Sequence, residues 1–303
     1  MIKRTICIEN PAYLKCRNEQ LLVSYDGIRG YEEIPDKTVP VEDIGILVLE
    51  HRQITITHYL LDLLLQNNVA VVTCNATRHP TGLLLNLDGN TVQSERFRAQ
   101  TDAAEPLKKQ LWQQTVKAKI SNQAKLLAKY QVPAEILKTY SQNVRSGDVD
   151  NNEAKAAAYY WQNLFPPSWM FYRKRDGMPP NNLLNYGYAI LRACVARALV
   201  GSGLLPTFGI FHRNRYNAYC LADDIMEPYR PFVDSVVRGI IDKTSHVQTL
   251  TQELKVQLLN IPAMDVTLEN ETSPLLIAVQ RTSASLTRCF LGEEKKLLYP
   301  ELV

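Results

Sequence analysis

The feature that most constrains the fold is a change in character of the chain at Asp88-Gly89-Asn90. Before it, short apolar runs separated by turn residues predict strands, and the run IGILVL at residues 44–49 is typical of a strand buried on both faces. After it, long segments without Gly or Pro, such as 107–130, predict helices. We therefore predict an α+β protein, with a small β-rich N-terminal domain at 1–90 followed by a larger all-α domain at 91–303.

Composition excludes several classes of protein. The chain is 46% hydrophobic and 21% charged, as in ordinary globular proteins, and it contains no uncharged apolar run long enough to span a membrane. The first ten residues, MIKRTICIEN, lack the features of a secretory signal. The six cysteines form no CxxC pair, so neither a zinc ribbon nor a disulfide framework is expected. A reducing cytoplasm is the expected location.

The net charge of +3 conceals an asymmetry between the two parts. Residues 1–90 carry 8 Lys and Arg against 11 Asp and Glu, whereas residues 91–303 carry 26 against 20. Between residues 107 and 147, 8 basic residues are accompanied by a single acid, Glu135. A polyanion would therefore bind the second domain rather than the first. The alternative is that these basic helices only present a solvated face.

Candidate metal ligands cluster in one segment, residues 203–231. It holds His212 and the acids Asp223, Asp224 and Glu227. Asp224 and Glu227 are three residues apart, so on a helix they share a face, where two carboxylates repel unless a positive charge lies between them. A neutral imidazole with carboxylates suits a divalent cation that prefers oxygen ligands. The alternative is an exposed histidine beside an ordinary solvated helix face.

A proline interrupts this helix at its carboxylates. Pro228 cannot donate to the carbonyl of Asp224, and it is expected to move Glu227 away from helical dihedral angles. Such a disruption aims carboxylates away from the helix surface. The simpler alternative is an ion pair between Glu227 and Arg230, three residues later.

Two further segments are candidates. Glu153 begins a predicted helix that residues 150–152 are placed to cap, although an acid in the first helical turn is also favoured by the macrodipole alone. The loop at 166–182 combines four prolines, three aromatics and the basic triplet Arg173-Lys174-Arg175. Its aromatics would stack on bases and its cations would contact phosphates, unless the loop merely docks Trp169 and Phe171 on the core.

Three blocks together resemble the CRISPR-associated adaptation integrase family, which inserts new spacers into CRISPR arrays. They are GLLPTFGIFH followed after a spacer by LADDIMEPYRP, then DNNEAKAAAYYW, and then RDGMPPNNLLNYGYAILR. The domain order and the length fit as well, so the resemblance spans essentially the whole chain. The N-terminal features are most similar to members from type II systems.

The resemblance implies roles for four residues. Glu153, His212 and Glu227 match the metal ligands of the family, and Asp224 matches an additional acidic position of its catalytic site. Asp223 matches no family role. The implied cofactor is Mg²⁺ or Mn²⁺, and the implied enzyme is a metal-dependent DNA endonuclease and integrase that acts in antiviral defence.

The implied reaction is a transesterification in which the 3′-hydroxyl of a prespacer attacks the edge of a CRISPR repeat. The implied partners are double-stranded DNA, a second copy of the chain joined through the N-terminal domain, and a small companion protein (Cas-two) in a hetero-oligomer. No membrane is involved, and whether the effector nuclease joins the complex stays open. From charge and neighbourhood we predict seven DNA-binding residues: Arg173, Lys174, Arg175, Arg192, Arg213, Lys117 and Lys125.

Two other functions stay open. A stand-alone metal-dependent nuclease acting on branched or linear DNA would use the same ligands, and only its products would differ. A non-catalytic DNA-binding or scaffold protein would keep every measurable function when Glu227 is replaced by alanine.

Overall fold

The computed structural model describes residues 3–174, 177, 179–244 and 249–303. The backbone divides into two compact units, one ending at Thr91 and one beginning at Val92. The first is built mainly from strands and the second mainly from helices, so the predicted α+β class is confirmed.

The described part of the N-terminal unit forms two four-stranded sheets, one α-helix and a short 3₁₀ turn at Val41–Asp43. Its elements are β1 (Arg4–Ile8), β2 (Ala12–Arg17), β3 (Gln20–Ser24), β4 (Lys37–Pro40), β5 (Ile44–Leu49), β6 (Ile54–Ile56), α1 (His58–Gln66), β7 (Ala70–Cys74) and β8 (Pro80–Leu84). One sheet has the order β1-β5-β7-β8, in which β1, β5 and β7 are parallel and β8 is antiparallel to β7. The other has the order β4-β3-β2-β6.

Local sequence explains most of this unit. The apolar run at 44–49 forms β5 at an inner position of its sheet, with Ile46 and Leu47 fully buried. Helix α1 begins after Thr57, whose hydroxyl accepts a hydrogen bond from the Leu60 amide at 3.4 Å. Strands β4 and β6 have no counterpart in the sequence-based prediction because three or four residues are too few to show an alternating pattern.

The C-terminal unit is a helical assembly that, in its described residues, also contains one β-hairpin. Its elements are α2 (Gln93–Thr101), α3 (Glu105–Lys129), α4 (Glu135–Asn143), α5 (Asn152–Leu164), α6 (Asn181–Gly201), α7 (Cys220–Met226), α8 (Arg230–Lys243), α9 (Gln252–Leu259), β9 (Asp265–Leu268), β10 (Glu271–Pro274) and α10 (Leu275–Phe290). The hairpin corrects the prediction that this domain is all-α. Its turn residues, Glu269 and Asn270, both have positive φ, at 51° and 66°, but they lack the glycine that marks such turns in a sequence.

Helix α6 is the core of this unit. It is long and apolar enough to cross a membrane, yet 83% of its apolar window is buried inside the protein, as in a core helix. Gly187 lets α8 pack closely against it, because a Cβ atom at this position would lie 2.5 Å from Cγ1 of Val233. The lack of a side chain at Gly187 is therefore what allows α6 and α8 to approach each other here.

A buried carboxylate ties three helices together. Asp234 of α8 accepts hydrogen bonds from the hydroxyl of Tyr160 on α5, at 2.7 Å, and from the hydroxyl of Tyr188 on α6. Burial raises the pKa of Asp234 to about 6, although both hydrogen bonds and the charge of Arg230 act in the opposite direction. The folded protein therefore holds the proton of this carboxyl more tightly than the unfolded chain does.

The stability of the protein should consequently depend on this group. As pH rises from its unfolded pKa through about 6, the folded protein gives up a proton that it holds more tightly than the unfolded chain, and loses stability. Asp234→Asn does not titrate, so its free energy of unfolding relative to the parent should rise by about 2 kcal/mol between pH 4 and pH 7. Urea unfolding at both pH values measures this. A difference independent of pH would contradict it, and exposed Asp102→Asn serves as the control.

Candidate metal centre and nucleic-acid interface

Glu153 is positioned by the start of α5. The carboxylate of Asp148 caps this helix, because its two oxygens accept hydrogen bonds from the backbone amides of Asn152 and Glu153, each at 2.9 Å. The expected cap at 150–152 is therefore wrong: Asn151 makes no side-chain cap, and Asp150 pairs with Arg145 instead. The first turn of α5 holds the Glu153 carboxylate inward, with only 19% of the side chain exposed.

Glu227 lies where α7 passes into α8. A 3₁₀ turn over Glu227–Tyr229 joins the two helices, and the Pro228 carbonyl accepts a hydrogen bond from Asn122 Nδ2 at 2.9 Å. Glu227 itself keeps helical dihedral angles, with φ −53° and ψ −46°. The expectation that Pro228 displaces it from the helical region is wrong, because the tighter 3₁₀ turn absorbs the missing amide without moving Glu227.

Lys119 of α3 lies between the two glutamates. Its Nζ is 2.6 Å from Oε1 of Glu153 and 2.6 Å from Oε2 of Glu227, and its side chain is 11% exposed. Nε of Arg230 lies 2.9 Å from the other oxygen of Glu227, so the predicted alternative of an ion pair between these two is present. Oε2 of Glu227 is nevertheless buried without a hydrogen bond of acceptable geometry. Lys119 Nζ is thus the cation that faces this oxygen, at 2.6 Å.

His212 is oriented by Asp224. Its Nδ1 lies 2.5 Å from Oδ1 of Asp224, which is fully buried, while Oδ2 accepts a hydrogen bond from the Phe211 amide at 2.9 Å. An N–H at Nδ1 that faces a carboxylate leaves Nε2 with its lone pair, the form in which histidine binds metals. Asp224 therefore acts on His212, whose side chain is 45% exposed. The rings of Trp112 and Phe211 also pack against the imidazole.

Glycine at position 209 makes this arrangement possible. A Cβ atom there would lie 2.5 Å from the His212 carbonyl oxygen and 2.7 Å from Oδ2 of Asp224. The chain before His212 can therefore pass close to Asp224 only because Gly209 has no side chain.

The charges in this cluster are strongly coupled. The hydrogen bond to Asp224 raises the pKa of His212 against partial burial, and Glu227 and Glu153 add to the rise. Burial by itself would raise the pKa of Glu227, but the charges of Arg230 and Lys119 outweigh it and lower that pKa. Burial lowers the pKa of Lys119, yet attraction by Glu227 and Glu153 exceeds that effect and the pKa is raised. Lys119 and Glu227 are accordingly both charged near neutral pH.

The chemistry of these donors fits a divalent metal ion, although they do not form a closed cage. Two carboxylates and one imidazole nitrogen are a typical set for Mn²⁺ or Mg²⁺. Within the described residues, however, the only three candidate ligand atoms that all lie within 4.8 Å of one another come from Cys7, Glu9 and Glu50 of the N-terminal unit. In the predicted site the position between the glutamates is held by Lys119 Nζ, and His212 lies farther out.

Most of the predicted DNA-binding residues make internal contacts. Arg192 pairs with Asp223 at 2.7 Å, Arg213 with Glu105 at 2.6 Å and Lys125 with Glu301 at 2.7 Å. A DNA phosphate would have to displace these carboxylates from the three cations. The side chains of Glu105 and Glu301 are more than half exposed, so their ion pairs are weak and the easier ones to displace.

The predicted aromatic and basic loop is partly docked on the core. Phe171 packs against Phe165 with ring centroids 4.6 Å apart, which confirms the docking alternative for this residue. Arg173 donates to the side chains of Asn181 and Asn185, at 2.9 and 2.8 Å. Two of the remaining three candidates lie within the described residues. The ammonium of Lys174 lies over the exposed ring of Tyr172, and Lys117 lines a cavity of about 570 Å³ beside α3. Arg175 lies outside the described residues.

Comparison with known proteins decides the family. The family profile described as CRISPR associated protein Cas1 matches residues 6–260. The chain belongs to the Cas1 family. The predicted resemblance is thereby confirmed, including the likeness to members from type II systems. The CRISPR-associated endonuclease Cas1 of Neisseria meningitidis serogroup C is 35% identical over 306 residues, which cover 100% of this chain and 97% of that protein.

Solved structures show that the fold is that of Cas1. A casposase bound to integration product matches with a TM-score of 0.78 at 18% identity, covering 98% of this chain and 92% of that one. A chain of a Cas6-RT-Cas1–Cas2 complex matches with a TM-score of 0.75 at 21% identity, covering 99% of this chain and 36% of that one. At these identities the likeness concerns the fold alone.

Lys119 is the residue of this candidate site that the sequence-based prediction missed. A signal for it exists: Trp112, Val116 and Gln123 are buried, and Lys119 continues their row at helical spacing along α3. A lysine in such a row must have an anionic partner, because an unpaired buried charge is strongly unfavourable. The pattern predicts that the partner exists without identifying it.

Proposed function

We propose that this Cas1-family protein is a metal-dependent DNA endonuclease and integrase that inserts spacer DNA into a CRISPR array by 3′-hydroxyl transesterification. The observation that carries the proposal is the convergence of Glu153 and Glu227 on one cationic group, with His212 oriented nearby by Asp224. Mg²⁺ or Mn²⁺ bound there would polarise the phosphoryl oxygen and favour ionisation of the attacking hydroxyl.

The residues of the chain have separate tasks in this proposal. Glu153 and Glu227 supply hard anionic oxygens, which their helices hold in place. Asp224 keeps Nδ1 of His212 protonated so that Nε2 can coordinate. In the reaction, a bond forms between the attacking 3′-oxygen and phosphorus, and the bond to the leaving 3′-oxygen breaks, with the leaving oxygen taking up a proton. Arg230 balances part of the negative charge that the carboxylates concentrate in a buried site.

Partners follow from the same proposal. The substrates are a double-stranded prespacer and a CRISPR repeat, held by their phosphates on the basic C-terminal unit. Two strand transfers a fixed distance apart require two active sites, hence a homodimer, and the companion Cas-two protein would set the spacing. We place the dimer contact on the N-terminal unit. A monomer in light scattering at working concentration would argue against this part.

The experiment that tests the proposal is a half-site joining assay. A labelled oligonucleotide with a 3′-hydroxyl is incubated with a supercoiled plasmid carrying the repeat and with Mn²⁺, and the parent is compared with His212→Ala. We expect strand-joined product from the parent and none above background from the variant. An otherwise identical oligonucleotide that lacks the 3′-hydroxyl should give no joined product. Nicks without joining in the parent would instead favour a stand-alone nuclease.

A further inference from the structure

Lys119 sits where a metal ion bound by Glu153 and Glu227 would have to lie. Its Nζ contacts one oxygen of each glutamate at 2.6 Å, so it already fills the space between the two carboxylates. An ammonium group and a divalent cation repel each other and require the same lone pairs. The ammonium group and the metal ion therefore cannot both occupy the position between the two carboxylates.

The three groups differ in how freely they can move. Glu153 is fixed by the capped first turn of α5, and Glu227 by a 3₁₀ turn that is anchored to Asn122. Lys119 reaches the site from α3 through a flexible four-carbon stem. Nζ can therefore leave by rotation about side-chain bonds while the carboxylates stay in place.

The bonding of Nζ is also uneven. It donates a well-formed hydrogen bond to Oε1 of Glu153, whereas it lies equally close to the buried Oε2 of Glu227, at 2.6 Å, but with a poorer hydrogen-bond angle. A permanent structural ion pair would be expected to satisfy both carboxylates. A cation with no directional preference would suit Oε2 better than the ammonium does.

We propose that Lys119 is a tethered cation that occupies the position between Glu153 and Glu227 and competes there with the divalent metal ion. It neutralises the two carboxylates when no metal is bound and withdraws when the metal binds, so it lowers metal affinity while protecting the fold. The inference rests on the proposed function for the identity of the metal. Lys119 is then a positioning residue of the site rather than a group that touches DNA.

Direct Mn²⁺ binding tests this without any DNA. The protein is prepared as the parent, as Lys119→Met and as Lys129→Met, which removes an exposed lysine from the last turn of the same helix. Mn²⁺ dissociation constants are measured by electron paramagnetic resonance of the free ion, and the melting temperature is measured in EDTA and in Mn²⁺. We expect Lys119→Met to bind Mn²⁺ at least about tenfold more tightly than the parent, because a unit positive charge near the site has been removed.

The melting temperatures should change in the matching direction. In EDTA, Lys119→Met should melt below the parent, since the two carboxylates then lack the cation that lies between them, and Mn²⁺ should raise the melting temperature by more than it does in the parent. Lys129→Met should match the parent throughout. Lys119→Gln, which keeps a hydrogen-bond donor, takes the place of Lys119→Met if the latter does not fold, with the same expected gain in affinity.

Weaker or unchanged Mn²⁺ affinity in the Lys119 variants would overturn the inference, because it would mean that Lys119 supports the metal or is irrelevant to it. If the parent still joins strands in that case, the proposed function survives by itself. A parent that binds no Mn²⁺ and joins no strands would overturn both.

Discussion

Glu153→Gln and Glu227→Gln should each lower the rate of strand joining by about a thousandfold, a loss typical of removing one electrostatic group from a preorganised site. Glutamine keeps the size of the side chain but removes the negative charge that a metal ligand must supply. Both variants should lose activity, although the two residues lie on different elements, because under the proposed function each carboxylate would supply a ligand to the same metal ion, and in the structure both reach the same ammonium group of Lys119.

A loss of activity through unfolding has to be distinguished from a loss of catalysis in these variants. Glu227 is the more buried of the two, with 8% of its side chain exposed against 19% for Glu153, so its replacement leaves the buried charge of Arg230 without its partner. Breaking such a pair costs about 3–5 kcal/mol of stability. Glu153→Gln is therefore the cleaner variant, and circular dichroism at the assay temperature checks both. Glu253→Gln, at an exposed position on α9, is the matched control and should join strands at the parental rate.

The second large loss of activity is expected at Gly209, a residue without a side chain that could take part in the reaction. Gly209→Ala would place a methyl group 2.7 Å from Oδ2 of Asp224 and 2.5 Å from the His212 carbonyl oxygen. Real Cβ atoms do not come this close, so the segment carrying His212 must shift away from Asp224. A displacement of about 1 Å in a catalytic group costs about a hundredfold in rate, and we expect a loss of that size in strand joining.

Displacement of His212 in Gly209→Ala should also be visible in the titration of its imidazole. In Gly209→Ala the hydrogen bond between Asp224 and His212 weakens, so the pKa of His212, which that bond raises, should fall toward its ordinary value. Nuclear magnetic resonance titration of the imidazole measures this. Gly239→Ala is the control: a methyl group there meets nothing within 4 Å, and alanine should stabilise α8 by about 0.5–1 kcal/mol without affecting activity. Parental activity with an unchanged His212 titration in Gly209→Ala would contradict the account.

Several elements could be predicted because their cause is local. The β5 strand follows from an uninterrupted apolar run, α1 from apolar residues at helical spacing within 57–66, and α6 from a long apolar stretch that ends near two glycines. The β9–β10 hairpin could not be predicted, because Glu269 and Asn270 adopt positive φ only in the context of the paired strands.

The site shows the same division. The chemical types of its members, namely two glutamates, a histidine and an acid three residues before Glu227, are visible in the sequence. The dihedral angles of Glu227 and the residue that caps α5 are not visible there. A 3₁₀ turn keeps Glu227 in the helical region, and Asp148, which lies outside the expected 150–152, caps α5. Local preferences alone do not choose between these arrangements and the expected ones.

The amino-acid sequence by itself determined where the strand-rich part gives way to the helical part, and which side chains are available for metal chemistry. These properties depend on periodicity and residue type, which act over a few neighbouring positions. Only the tertiary structure decided that Lys119, one of 8 basic residues between 107 and 147, faces Glu153 and Glu227. Its contacts reach across 34 and 108 positions of the chain, and such a pairing is set by how α3 packs against the other helices rather than by any local preference.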